Sequence, residues 1–208
     1  MNRYRDMQHH SAAQAAALAA GWALLLALAG CSAEPAQVEP PPQSVRCEAG
    51  DAGDCAAVGT FYMQERRDTA QARLYLERAC AQKSADGCFR LGELYEQGTG
   101  EEGPDLFRAA RMYMEACKLD HGAACEVLGG MHYDGRGTPQ NPQQSVQFYV
   151  WGCKLGDALS CNEAGYQYDE GEGVARDRAQ ALDYYRRACS RGLQLGCDNF
   201  DKLSAPPI

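Results

Sequence analysis

Ten of the eleven cysteines fall into five pairs, and every pair has the same separation of eight: Cys47/Cys55, Cys80/Cys88, Cys117/Cys125, Cys153/Cys161 and Cys189/Cys197. Successive first members lie 33, 37, 36 and 36 residues apart, a period in the range of solenoid repeats. The spacing carries geometry. On one continuous helix, residues i and i+8 sit about 12 Å apart along the axis, whereas a disulfide needs Cα atoms within about 7 Å. If the pairs are bonded, each closes a turn between two helices. The intervening segments AQKSADG, KLDHGAA, KLGDALS and SRGLQLG agree, since each contains Gly and small polar residues suited to a helix end and a new cap.

Alignment on the second cysteine of each pair defines the unit. Gly59, Gly92, Gly129 and Gly165 stand at +4, Val58, Leu91, Leu128 and Ala164 at +3, and Tyr62, Tyr95, His132 and Tyr168 at +7. A first helix, A, is predicted to run from about each second cysteine for some ten residues. In the last three full units it ends at Gly98-Thr99-Gly100, Gly135-Arg136-Gly137 and Gly171-Glu172-Gly173; the first turns through Arg66-Arg67-Asp68 instead. A second helix, B, follows Asp68, Asp105, Asn141 and Asp177, whose side-chain oxygens suit orphan backbone N–H groups. Along B, Ala72, Ala109, Ser145 and Ala181 lead to Tyr75, Met112, Phe148 and Tyr184. Leu76, Tyr113, Tyr149 and Tyr185 stand beside those, and Ala79, Ala116, Gly152 and Ala188 come next. Small and large residues at helical spacing predict tightly packed helix hairpins.

The pattern L-G-x-x-Y-x-x-G-x-G, then Asp or Asn, then A-x-x-Y-Y-x-x-A-C, resembles the Sel1-like repeat, a relative of the tetratricopeptide repeat. With its paired cysteines it is similar to the cysteine-rich subfamily of Helicobacter secreted proteins. The resemblance covers about residues 47–203, four repeats plus caps, with His132 departing from the tyrosine position. It implies an all-α fold, a right-handed α/α solenoid of helix hairpins. It also implies five disulfides, each joining helix B of one unit to helix A of the next, with Cys47–Cys55 closing the N-terminal cap and Cys189–Cys197 pinning a short terminal helix. Ten free thiols would ill suit an exported chain, and zinc would want a C-x-x-C motif or clustered ligands, which these spread pairs lack. Residues 204–208 read as a disordered tail.

The odd cysteine is Cys31. Arg3 and Arg5 precede an Ala/Leu run from about Ala15 to Ala29, which fits a secretory signal and is short for a membrane span. The run ends Leu28-Ala29-Gly30-Cys31, which resembles a bacterial lipobox. That implies a signal peptide over 1–30, cleavage before Cys31 and lipidation of Cys31. Ser32 follows rather than Asp, which by similarity to Gram-negative lipoproteins implies an outer-membrane anchor facing the periplasm. Residues 31–46, with SAEPAQVEPPPQ, read as a Pro-rich tether.

Composition narrows the function. A net charge of −8, with 28 acids against 20 bases, argues against nucleic-acid binding. The family resemblance raises penicillin binding and weak β-lactamase activity, but the S-x-x-K, S-D-N and K-T-G motifs of serine β-lactamases are missing. Of four histidines, His9 and His10 lie in the signal, His121 in a turn and His132 at the packing position. No nucleophile–base pair, metal site or cofactor is predicted. The G-x-G segments join helices and read as turns; Asp169-Glu170-Gly171-Glu172 reads as a solvated turn. The expectation is therefore a membrane-anchored scaffold for protein–protein contact, taking a protein or peptide on the concave face. Helix A offers Ala56, Thr60, Phe89, Glu93, Glu126, Gly130, Asn162 and Tyr166 there, at +1 and +5. The alternative is a weak β-lactamase or a penicillin- or peptidoglycan-fragment-binding protein, and a pocket holding His132 with a carboxylate would favour it.

Overall fold

The computed structural model describes residues 41–98 and 103–205, and within them every regular element is helical. A short α1 (Gln43–Glu48) is followed by four hairpins: α2 (Ala52–Phe61) with α3 (Thr69–Ala81), α4 (Ala85–Gln97) with α5 (Leu106–Lys118), α6 (Gly122–Asp134) with α7 (Pro142–Lys154), and α8 (Ala158–Glu170) with α9 (Arg178–Ser190). Helix α10 (Gln194–Ser204) closes the array. The fold is the expected all-α solenoid, with α2, α4, α6 and α8 as A helices and α3, α5, α7 and α9 as B helices. Across units, α2 packs on α4 and α6 on α8, and no pair of successive B helices packs comparably. The A side is therefore the inner side of the curve.

Capping side chains set the helix starts. Asp68, Asp105, Asn141 and Asp177 accept from the backbone N–H of Gln71, Arg108, Gln144 and Gln180 at 2.9–3.1 Å, as their residue types predict. The A helices begin three residues earlier than the sequence reading placed them. Asp51, Ser84, His121 and Asp157, each four residues before a second cysteine, accept from the N–H groups of Asp54, Gly87, Ala124 and Ser160. This corrects the expected helix starts at Cys55, Cys88, Cys125 and Cys161, which instead close the first turn of their helices. From there each cysteine reaches back to the last turn of the preceding helix.

All five disulfides are formed, with Cα atoms 4.5–4.9 Å apart. Cys47–Cys55 joins α1 to α2, Cys80–Cys88 joins α3 to α4, and Cys117–Cys125 joins α5 to α6. Cys153–Cys161 joins α7 to α8, and Cys189–Cys197 joins α9 to α10. Cys88 and Cys161 have no exposed surface, so both act as buried staples and neither is presented to a ligand. An Arg191 guanidinium N–H lies 3.4 Å from the Cys161 sulfur, tying the turn after α9 to the same junction.

Within each hairpin a glycine meets a large side chain. A Cβ on Gly92, Gly129 or Gly165 would stand 2.7 Å from a ring carbon of Tyr113, Tyr149 or Tyr185, and one on Gly59 would strike Leu76. The bare backbone at +4 is what lets helix B lie this close. The +7 ring stacks beside this contact: Tyr62 on Tyr75, His132 on Phe148 and Tyr168 on Tyr184, at centroid distances of 5.2–5.6 Å. These tyrosines are packing residues, as expected.

The loops repeat as well. The N–H groups of Asp105, Asn141 and Asp177 donate to the carbonyls of Tyr95, His132 and Tyr168 at 2.7–2.8 Å, so each B-helix cap is tied to the end of its A helix. Gly135 and Gly137, like Gly171 and Gly173, take φ of +68° to +78°, where a side chain would be strained. In the first unit a π-helical turn, Tyr62–Arg66, extends α2, and Arg67 at φ 52° supplies the left-handed residue. Two boundaries differ from the sequence reading. Helix α1 occupies residues assigned to the tether, and α10 runs through Ser204, assigned to the tail. The signal segment, Cys31, residues 32–40, Thr99, Gly100 and residues 206–208 lie outside the described residues.

Candidate functional site

Helix packing sorts the charges onto two sides of the array. The four A helices carry nine acids and a single base, Arg90, whereas the four B helices carry nine Lys or Arg and three acids. Arg90 is itself engaged, by Glu93 at 2.9 Å and Asp86 at 3.5 Å. Neither α6 nor α8 has a Lys or Arg. The inner face is consequently negative along its C-terminal half.

The eight candidate contact residues divide. Ala56 and Asn162 are buried, at 3% exposure each, which corrects their assignment as contacts. The Asn162 amide donates to Glu163 and its carbonyl accepts from Asn199, tying α8 to α10. Phe89 is half-buried, stacked on His121 at 4.4 Å and tilted against Tyr113. Thr60 donates back to the Ala56 carbonyl. Glu93, Glu126, Gly130 and Tyr166 remain to face a ligand, and Tyr166 is 41% exposed.

Glu126 is the most perturbed of them. Partial burial, with Asp157 and Glu163 adding like charge, pushes its carboxyl up to about 7. No described cation meets Glu126 or Glu163 at ion-pair distance. The phenols report the same field. Tyr166 is raised mainly by Glu172, with Glu170 and Glu163 adding to it. Tyr133, which donates to Glu172 at 2.5 Å, is raised to about 12. The turn Asp169–Glu172 is thus partly occupied with protein contacts, Glu172 with Tyr133 and Asp169 with Arg176 at 3.5 Å. Sequence reasoning at +1 and +5 reached Glu93, Glu126 and Tyr166. It missed Asp157, Glu163 and the charge split, which emerge only when every helical residue is assigned to A or B.

On the B side, a cavity of about 460 Å³ is lined by α5, by Leu128 and His132 of α6, and by Gly137–Pro139. Glu115 lines it too but is held by Lys118 at 2.9 Å, and Thr138 donates to the Met131 carbonyl. His132 and a carboxylate therefore share a cavity without a hydrogen bond between them.

Comparison with known proteins agrees with this architecture. Sel1 repeats match at residues 53–84, 85–121, 122–157 and 158–193. Cytochrome c oxidase assembly factor 7A of Xenopus laevis is 31% identical over 81 residues, 39% of this chain and 35% of that protein. Assembly factor 7 of Xenopus tropicalis is 30% identical over the same shares. The chain thus spans about a third of the length of these curated relatives. Among solved structures, a protective antigen of uropathogenic Escherichia coli with an SLR fold superposes with a TM-score of 0.71 at 26% identity, covering 80% of this chain and 36% of that one. A Sel1 repeat protein from Oxalobacter formigenes gives 0.69 at 25% identity, over 74% and 64%. Helicobacter pylori cysteine-rich protein B gives 0.51 at 25%, over 63% and 93%. Four consecutive matched repeats, a helix-hairpin solenoid and a disulfide at every repeat junction place this chain in the Sel1 repeat family.

Proposed function

We propose that the protein is an exported, lipid-anchored scaffold whose A-helix face binds a basic segment of a protein partner. A Sel1 repeat array is a scaffold typical of protein–protein contact, and stacked hairpins present a continuous inner surface for an extended chain. The charge split between A and B helices is the observation that carries the partner's chemistry. Glu126 feels the like charges of Asp157 and Glu163 with no described cation at ion-pair distance, and such carboxylates repel one another until a positive group enters. Complementary charge then sets both the encounter rate and the orientation. The Leu28–Cys31 segment supports export and anchoring of Cys31, with Ser32 favouring the periplasmic face of an outer membrane. The β-lactam reading has in its favour the cavity that holds His132 and Glu115, but a hydrolase sets a nucleophile against a base, and His132 makes no hydrogen bond to Glu115 or Thr138.

A fluorescent Lys/Arg-rich peptide tests the surface. We expect it to bind the oxidised protein with an affinity that falls as salt rises, while an acidic peptide of equal length does not bind. Glu126→Lys with Glu163→Lys should weaken binding at least tenfold, whereas reversing Arg186 and Arg187 on α9 should not weaken it. Equal loss from both pairs would show that the A face is not the binding surface.

A further inference from the structure

The third unit carries His132 where the other units have tyrosine at +7, and a cavity lies beside it. The Tyr95 ring lies under the Arg108 guanidinium of its own hairpin, and its hydroxyl continues to helix B of the preceding unit, where it donates to Glu77 at 3.1 Å. In the third unit the equivalent pair is His132 and Met114, again 18 residues apart. The imidazole stacks on Phe148 as a tyrosine would, but it lacks the phenol's reach toward α5. The cavity of about 460 Å³ lies where that reach would end, a volume suited to a small organic ligand.

The lining specifies that ligand. Ala110, Met114 and Leu128 give an apolar floor, and methionine adapts its shape to what it meets. Phe107 stands at the edge, 67% exposed. His132 is 8% exposed, yet its Nδ1 has no hydrogen-bond partner, an arrangement folded proteins seldom leave unexplained. Burial lowers the imidazole's pKa, while a backbone contact with Pro139 opposes that shift. Lys118 is occupied by Glu115. Arg111, at the solvent-exposed rim of the same cavity, forms no ion pair among the described residues, although Glu115 one turn on lies within its field.

We propose that this cavity binds a small amphiphilic carboxylate, with its apolar body over Met114 and Leu128, its polar end within reach of His132 Nδ1, and its charge paired with Arg111. The site lies on the B side and is independent of the acidic A face.

Decanoate below its micelle concentration is the probe, titrated calorimetrically into the oxidised full-length protein and checked by displacement of anilinonaphthalene sulfonate. His132→Tyr restores the residue of the other units and should lower decanoate affinity at least tenfold. Met114→Phe, which fills the cavity from α5, should do the same, and helical circular dichroism with five intact disulfides would show that each variant is folded. Arg111→Glu should lower decanoate affinity at least fivefold and leave decanol unchanged. Absence of decanoate binding to the wild type, or equal binding to the wild type and either folded filling variant, would overturn the site. Loss in the filling variants with no effect of Arg111→Glu would overturn the carboxylate and leave an apolar pocket for a partner's side chain.

Discussion

Two adjacent glycines on α6 should respond to the same mutation with opposite signs. Replacing a glycine inside a helix by alanine ordinarily stabilises by about 1 kcal/mol, because alanine loses less backbone freedom on folding. At Gly130 the new Cβ would meet only the Tyr149 hydroxyl oxygen, at 3.5 Å, an ordinary contact. Gly130→Ala should therefore stabilise the protein by about 0.5–1 kcal/mol. At Gly129 the new Cβ would stand 2.7 Å from both Cδ1 and Cε1 of Tyr149 and 3.1 Å from Cγ. The ring is 6% exposed and cannot swing away without lifting α7 off α6. Overpacking of this kind costs about 1–3 kcal/mol. After the helix gain is subtracted, Gly129→Ala should destabilise by up to about 2 kcal/mol. The two variants then differ by the overpacking cost, roughly 1–3 kcal/mol, which at a urea dependence of about 1–3 kcal/mol per molar separates their midpoints by about 1 M. Urea unfolding with disulfides intact, followed by circular dichroism, measures the gap. Repeat arrays depart from two-state behaviour, so the midpoints of the two variants should be compared directly under one set of conditions. If Gly129→Ala is stabilised as much as Gly130→Ala, close approach of the tyrosine is not the reason for glycine at +4.

Three further outcomes concern other parts of the molecule. Cys117→Ser removes the staple between α5 and α6; on the chain-entropy account a nine-residue loop contributes about 2.5 kcal/mol, and Cys125 should become reactive to a thiol reagent in the unfolded variant, so an unreactive Cys125 would contradict the pairing. Glu126 titrates near 7 in the folded chain against an ordinary 4.5; folding therefore favours its protonated form, and the stability this confers is complete below about pH 4.5 and lost as pH rises through about 7. Glu126→Gln should match the wild type at pH 4 and exceed it at pH 8 by roughly 1 kcal/mol, a figure discounted for the carboxyl's partial exposure; equal stability at both pH values would mean that the carboxyl is not strained. Cys31→Ser, expressed in bacteria, should abolish incorporation of labelled fatty acid, and continued labelling would refute the lipid anchor.

The repeat itself was legible because its signals are local. Equal cysteine spacings, Asp or Asn before each B helix, and glycines after most A helices act within a turn or two of chain, so the hairpins follow from the order of residues. Boundaries were less legible where a cap was ambiguous. Ser84 places Cys88 one turn inside its helix, and Asp157 does the same for Cys161. His121 caps as well as they do, but a histidine in a polar turn does not announce itself as a cap. The contact row failed at Ala56 and Asn162 for a different reason. A helical wheel centred on +1 and +5 shows which residues share a side, but not that α10 folds over the end of α8 and takes Asn162 into a hydrogen bond with Asn199.

A stapled array of helix hairpins can thus be read from the linear chain, because period, capping and cysteine spacing are properties of neighbouring residues. What the two sides of that array present to a partner follows only from packing across units. The negative inner face depends on which helices stack inward, and the perturbation of Glu126 depends on Asp157 and Glu163, 31 and 37 residues away. The His132 cavity depends on a methionine of the preceding unit that stands where a tyrosine's hydroxyl would otherwise arrive. Such features arise from distances between units, and those distances do not exist until the chain has folded.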